Sequence, residues 1–195
     1  MSQNIEIEFK NMLTESEYKR LLVELQVDKK QIFSQENHYF DTPDFALKEA
    51  NSALRIRKKK LHYEMTLKQP ATVGLLETNQ ILTEDEVTTA LQHGKLPTGA
   101  IQQLIEANGV PFSEIEYFGY LLTHRVEMPY EKGLLVLDHS SYLNKDDYEL
   151  EFEVVDFNEG QLVFKEFLAR FQIPERKTEN KIRRFYQQKY KMTER

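Results

Sequence analysis

Cysteine is absent from the 195 residues. That excludes disulfides, thiolate metal sites and cysteine nucleophiles, and it fits a cytoplasmic setting. No stretch approaches the ~20 consecutive apolar residues that cross a bilayer, so no membrane partner is expected. The opening residues MSQNIEIEF hold neither a basic n-region nor an apolar h-region, so no secretory signal is expected either. There is no fixed-period repeat, no low-complexity tract and no linker rich in proline, glycine and serine. One domain over residues 1–195 is therefore expected. Neither GxSxG nor HExxH occurs. His38, His62, His93, His124 and His139 lack metal-ligand spacing and read as structural or surface residues. An excess of positive charge is also missing: 26 Lys and Arg face 32 Asp and Glu, for a net charge of −6. This argues against a nucleic-acid partner, whose binder is normally basic. What is abundant is charge itself, 30% of the chain beside 40% hydrophobic residues. That balance suits a globular protein with an unusually charged surface or interior.

Local signals divide the chain into strands and helices. Strands are expected over 4–11, 31–41, 52–60, 62–69, 74–82, 114–121, 122–130, 133–139 and 147–156, from period-two alternation and flanking turn residues. Thr14 with Glu17 and Thr83 with Glu86 have capping-box spacing. They open helices predicted over 14–26 and 83–93. Further helices are predicted over 97–108, over 158–171 with Asn158 and Gln161 at its start, and over 178–191. Short antiparallel strands interleaved with helices make an α+β fold of roughly eight strands.

The strands share one peculiarity. In IEIEFK, Glu6, Glu8 and Lys10 lie on one face and Ile5, Ile7 and Phe9 on the other. Arg55, Arg57 and Lys59 share a face in the same way, as do His62, Glu64, Thr66 and Lys68. Thr123, Arg125 and Glu127 repeat the pattern, and so do Glu149, Glu151 and Glu153. Two architectures accommodate it. An open sheet can show its charged face to water. A closed sheet can instead enclose that face, which must then hold water, ions or a charged ligand, because unpaired buried charge is prohibitively costly. In the second case the apolar face points outward and the amphipathic helices cover it.

The signs of the charges bear on the chemistry. A strand rich in arginine suits an anion with several oxygens, since the guanidinium fork matches phosphate. A strand of glutamates repels that anion, by about 4 kcal/mol per unit-charge pair at 4 Å and an effective dielectric of 20. A divalent ion reconciles them, and an all-oxygen ligand set favours Mg²⁺ or Mn²⁺.

EIEFK at 6–10 resembles the ExExK signature of the CYTH superfamily, the triphosphate tunnel metalloenzymes, which include inorganic and thiamine triphosphatases, RNA triphosphatases and class IV adenylate cyclases. YFDT at 39–42, LRIR at 54–57, TLK at 66–68, Arg125, LD at 137–138, ELE at 149–151 and RKTENK at 176–181 follow in that family's order. The resemblance implies an eight-stranded antiparallel β-barrel, a triphosphate tunnel with a polar charged interior and helices packed outside. It implies Lys10, Arg55, Arg57, Lys68, Arg125 and Lys177 as substrate-binding cations, with Lys181 competing for the role of Lys177, whose usual serine neighbour is here Thr178. Asp138, Glu149 and Glu151 are the implied metal ligands. Glu6 and Glu8 are implied as carboxylates of the opposite wall or rim, and with Lys10 and Arg57 they are the candidates for the catalytic step. Glu153 shares the inward face and can sit solvated at a tunnel mouth.

The expected activity is metal-dependent hydrolysis of a small-molecule triphosphate, inorganic or organic. Such phosphoryl transfer rests on positioning and electrostatics and needs no nucleophilic side chain. The alternatives are a class IV-type adenylate cyclase and a non-catalytic module that binds polyphosphate or nucleotide. Oligomeric state stays open. Asp41 reads equally as a partner for a nearby cation and as a turn residue before Pro43. Lys58 and Lys60 alternate with the inward cations and are expected in solvent.

Overall fold

The computed structural model describes residues 1–59 and 62–193. Its strands are β1 (Ser2–Leu13), β2 (Phe33–Asp41), β3 (Ala53–Lys58), β4 (Tyr63–Pro70), β5 (Leu75–Leu82), β6 (Glu116–Tyr130), β7 (Gly133–Tyr142) and β8 (Lys145–Val154). Its helices are α1 (Glu15–Glu24), α2 (Ala46–Glu49), α3 (Glu84–His93), α4 (Ala100–Ala107), α5 (Phe157–Arg170) and α6 (Lys181–Thr193). Both capping boxes form. The Thr14 hydroxyl accepts from the Glu17 N–H at 3.2 Å while the Thr14 N–H donates to the Glu17 carboxylate at 2.7 Å. Thr83 and Glu86 repeat this at 3.2 and 2.8 Å. Each box satisfies donors that a helix start would otherwise leave unpaired.

The strands hydrogen-bond in the order β1-β5-β4-β3-β2-β6-β7-β8 and close into an eight-stranded antiparallel barrel. Closure decides between the two sheet architectures, since the alternation alone permits either. The chain clusters into two compact units, Met1–Ile5 with Glu36–Leu121 and Glu6–Gln35 with the chain from Leu122 on. Each has its own apolar core. In the first, Leu54, Ile56, Met65 and Leu67 of β3 and β4 pack with Val87 and Ala90 of α3 and Ile101 and Ile105 of α4. In the second, Val126, Leu135, Leu137, Leu150 and Phe152 pack with Leu21 of α1 and Phe164, Phe167 and Leu168 of α5. The apolar strand faces are thus spent on helices, and the alternate, charged faces are left for the barrel interior.

Several boundaries differ from the sequence reading. Residues 114–121 and 122–130 are one long strand, β6, without a turn between them. Residues 29–31 form a 3₁₀ turn capped by Asp28, so β2 begins at Phe33. The cap of α5 is Asp156, whose carboxylate accepts the Glu159 N–H at 2.8 Å, rather than Asn158. The short α2 was not anticipated. Asp41 builds it, accepting the N–H groups of Thr42, Leu47 and Lys48. Lys58 is exposed; Lys60 lies outside the described residues.

Candidate functional site

In the second unit, strand register alone brings the acids to their cations. β8 pairs with β1 so that Lys10 faces Glu151 and Glu8 faces Glu153. It pairs with β7 so that Asp138 faces Glu149, and β6 sets Arg125 opposite Asp138. The neighbour of β8 in this ladder is β1, which sets Glu6 and Glu8 beside the acidic strand. Arg125 forks onto Asp138, Nε to Oδ1 at 2.8 Å and Nη2 to Oδ2 at 2.6 Å, and Nη2 also reaches Glu151 Oε2 at 2.9 Å. Lys10 donates to Glu8 at 2.6 Å. Asp138, Glu149 and Glu151 are only 0%, 1% and 5% exposed, and at that depth an unpaired carboxylate would not stay charged.

The last segment supplies further cations. The Asn11 side chain donates to the Pro174 carbonyl at 3.1 Å and accepts the Arg176 N–H at 2.6 Å. The Met12 N–H donates to the Thr178 hydroxyl at 2.9 Å. These contacts strap residues 174–178 along β1 and deliver the start of α6 to the acids. There the Lys181 ammonium lies 2.8 Å from both Asp138 Oδ2 and Glu149 Oε2 and donates to Glu151 Oε1. One turn on, Arg184 bridges Asp147 at 2.9 Å and Glu149 at 2.7 Å. Tyr142 donates its hydroxyl to Asp147 as well.

The protonation preferences follow from this packing. Burial alone would raise the Glu151 carboxyl, but Lys181, Arg125 and Lys10 hold it well below the usual range. Burial works against the charge of Lys10 too, and Glu8, Glu151 and Glu149 together keep its pKa above the ordinary value. Lys181 is raised in the same way by Asp138, Glu149 and Glu151. Glu153 is the exception. Burial first, then the Glu6 carboxylate and, more weakly, those of Glu151 and Glu8, push it up to about 7 despite Arg125. It is half-buried among like charges rather than freely solvated.

In the first unit, β3 and β4 present the other cations. Asn37 faces Arg57 across β2 and β3, and Arg57 Nε donates to its side-chain oxygen at 2.7 Å. Lys68 faces Glu77 across β4 and β5, 2.8 Å apart, and Arg55 lies 3.8 Å from the same carboxylate. The net effect on Glu77 is a lowered pKa: burial opposes it, and Lys68 and Arg55 outweigh burial. Arg55 Nε is buried with no hydrogen-bond partner among the described residues, which suits a site that awaits an acceptor. Lys59 pairs with Glu64 at 2.7 Å, with about half of its side chain exposed.

Each anticipated site residue can now be placed. Lys10, Arg125, Asp138, Glu149 and Glu151 meet in the second unit, with Glu6 and Glu8 next to them on β1. Arg55, Arg57 and Lys68 stand together in the first. Lys177 is exposed, and the cation that reaches the acids from its segment is Lys181. The sequence reading missed Asp147, Arg184 and Glu77. Asp147 was detectable, being in phase with Glu149 and Glu151. Arg184 was visible only as one basic residue of the final helix.

Among the described residues no group of three or more acidic or histidine side chains stands ready as a metal site; the acid trio converges on an ammonium instead. The donor set nevertheless fits a hard divalent ion. Three carboxylates send oxygens to a single point, and Glu149 Oε1 is buried with no hydrogen-bond partner among the described residues. The histidines take other roles. His139 stacks on Tyr148 and contacts Asp146 at 2.7 Å, and His38 meets the Tyr117 hydroxyl at 3.1 Å.

Comparison with known proteins gives the family. The CYTH domain family model matches residues 4–186. The chain belongs to the CYTH domain family. A relative in Bacillus subtilis (strain 168), named "Putative triphosphatase YjbK", is 51% identical over 191 residues, 98% of this chain and 99% of that protein. A crystal structure from Bacillus halodurans, described as a "putative adenylate cyclase", superposes with a TM-score of 0.91 at 44% identity, covering 95% of this chain and 100% of that one. HpAC1 of Hippeastrum shares the fold at 22% identity, with a TM-score of 0.72 over 94% of this chain and 96% of that one. No described helix of this CYTH chain is long and apolar enough to cross a membrane.

Proposed function

We propose that this CYTH protein is a cytoplasmic, Mg²⁺- or Mn²⁺-dependent triphosphatase that hydrolyses a terminal phosphoanhydride of a small-molecule triphosphate. The observation that carries the reading is the pairing of buried basic and acidic side chains on the interior strand faces, Arg125 with Asp138 and Glu151, and Lys68 with Glu77. Arg55, Arg57, Lys68, Lys10 and Arg125 are the proposed ligands of the phosphoryl oxygens. Asp138, Glu149 and Glu151 would hold the ion, which when bound supplies Lewis-acid polarisation of a phosphoryl oxygen. Glu6 and Glu8 are proposed to orient the attacking water, with Lys10 fixing Glu8 through its 2.6 Å contact. Arg125, with Asp138 and Glu151 on one side of its fork, keeps Nη1 near Glu127 at 3.6 Å. That is a long contact an incoming oxyanion can replace. The YjbK relationship supports hydrolysis.

The likeness to the Bacillus halodurans protein favours a second reading, cyclisation of a nucleoside triphosphate. Purified protein is incubated with tripolyphosphate, ATP or thiamine triphosphate and each metal, and phosphorus NMR identifies the products. Orthophosphate release is expected. Pyrophosphate with cyclic AMP would establish the cyclase, and tight binding without turnover would establish a binding module. Arg57→Ala is expected to lower turnover by about 10²–10³, as removal of one preorganised donor does. Near wild-type hydrolysis would remove Arg57 from the site.

A further inference from the structure

Lys181 occupies an odd position for a lysine. It is the first residue of α6, where the helix macrodipole disfavours a cation. Its ammonium has three N–H donors, and three carboxylates receive them: Asp138 Oδ2 and Glu149 Oε2 at 2.8 Å, and Glu151 Oε1 closer still. No other cation of the cluster sits so centrally. Lys10 is held off by Glu8, Arg125 grips Asp138 and Glu151 from their β6 side, and Arg184 spans Glu149 and Asp147. Lys145 completes the set, 3.0 Å from Asp147, so that five cations stand among the five carboxylates Glu8, Asp138, Asp147, Glu149 and Glu151. The buried Glu149 Oε1 lacks a hydrogen-bond partner among the described residues. A trio that meets at one point, and retains a spare buried oxygen, has the donor chemistry of a divalent-ion site whose centre is taken by an ammonium.

We infer that Lys181 is a built-in stand-in for the divalent ion: its ammonium and the ion compete for one place among Asp138, Glu149 and Glu151, and loading the ion expels the ammonium. The inference rests on the reading of those acids as ion ligands. Two cations cannot share the space, because the same oxygens must close to about 2.0–2.1 Å around Mg²⁺ and a positive charge within that shell is strongly repelled. Without the ion, the lysine keeps three buried carboxylates from facing one another unpaired, a state that would otherwise strain the barrel. Arg184 and the Asn11 strap hold α6 when the ammonium leaves, so the exchange needs only the Lys181 side chain to move.

The test is calorimetric titration with Mn²⁺ alone on the wild type, Lys181→Met, Lys181→Arg and Lys10→Met, each first stripped with chelator. Lys181→Met is expected to bind Mn²⁺ at least about tenfold more tightly, since a competitor has gone. Lys10→Met removes the same unit of charge beside Glu8 and is expected to change affinity less than about threefold, while Lys181→Arg stays near wild type. Thermal unfolding provides the companion readout: Lys181→Met unfolds below wild type without Mn²⁺ and recovers most of the gap when Mn²⁺ is saturating. If Lys181→Met does not fold, Lys181→Gln takes its place in both measurements. Equal tightening in Lys181→Met and Lys10→Met would reduce the effect to net charge and overturn the inference. So would weaker binding in Lys181→Met, which would make Lys181 part of the loaded site. If no variant and no wild-type protein binds Mn²⁺, the ion-ligand reading itself fails and takes this one with it.

Discussion

Arg176 shows how one side chain ties distant parts of the second unit together. It forks onto Glu17, both contacts at 2.9 Å, and donates to the Met12 carbonyl at 2.9 Å. Burial works against the Glu17 charge, yet the Arg176 hydrogen bonds and the Thr14 N–H and hydroxyl lower its pKa below the ordinary 4.5. A carboxyl with a lower pKa in the fold than in the unfolded chain stabilises the fold above the unfolded value. That contribution fades as pH falls through the folded value. Arg176→Met is therefore expected to lower the unfolding free energy by about 1–2 kcal/mol at pH 7, with a gap that narrows in acid, below 4.5. Urea unfolding at neutral and acid pH measures both. An equal deficit at the two pH values would assign the loss to packing and the Met12 contact instead. None of this was legible beforehand. Arg176 stood in a recognised motif, but its partners Asn11, Met12 and Glu17 lie more than 150 positions away. Local periodicity carries no information about such pairs.

Among the elements, α5 comes close to its strands at Gly160. A Cβ there would lie 2.5 Å from Val154 Cγ2 and 2.9 Å from Phe9 Cε2. Glycine to alanine inside a helix ordinarily gains up to about 1 kcal/mol. Here Val154 is β-branched and stiff, so overpacking of about 1–3 kcal/mol should prevail. Gly160→Ala is expected to unfold at a lower temperature than wild type by calorimetry; a higher midpoint would show that α5 can lift off the strand without cost. At this scale the sequence was most readable. Both threonine capping boxes and the break between α5 and α6 are short-range effects, set within a few residues of each helix end. The errors share a cause. The turn assumed inside β6 and the cap assumed at Asn158 were chosen from local residues, while the strand pairing of β6 with β7 and the contact of Phe157 with Phe9, 5.2 Å between rings, were tertiary.

At the scale of the whole molecule, the first strand pairs with the last. Ile7 lies against Val154 and Leu13 against Tyr148, so the barrel ladder closes only after nearly all intervening chain is available. Loop-closure entropy must be met before those pairs form, and folding rates fall as contacts become less local. Refolding is expected in the millisecond-to-second range rather than in microseconds, as followed by tyrosine fluorescence after rapid dilution from urea; the chain has 10 tyrosines and no tryptophan. A microsecond phase carrying the full amplitude would contradict closure as the slow step.

The amino-acid sequence by itself determined which side chains share a strand face, where the threonine-capped helices begin, and that opposite charges line the faces turned away from the cores. These are consequences of period two, period 3.6 and capping chemistry, all of which act between near neighbours. The alternation left closure of the sheet open, and the family motifs implied it; only the tertiary structure decided that Lys181 rather than Lys177 reaches the acids, and that Arg184 and Asp147 join them. Closure and ion pairing depend on register between strands and on the docking of a terminal helix, and both are won by contacts between residues far apart in the chain.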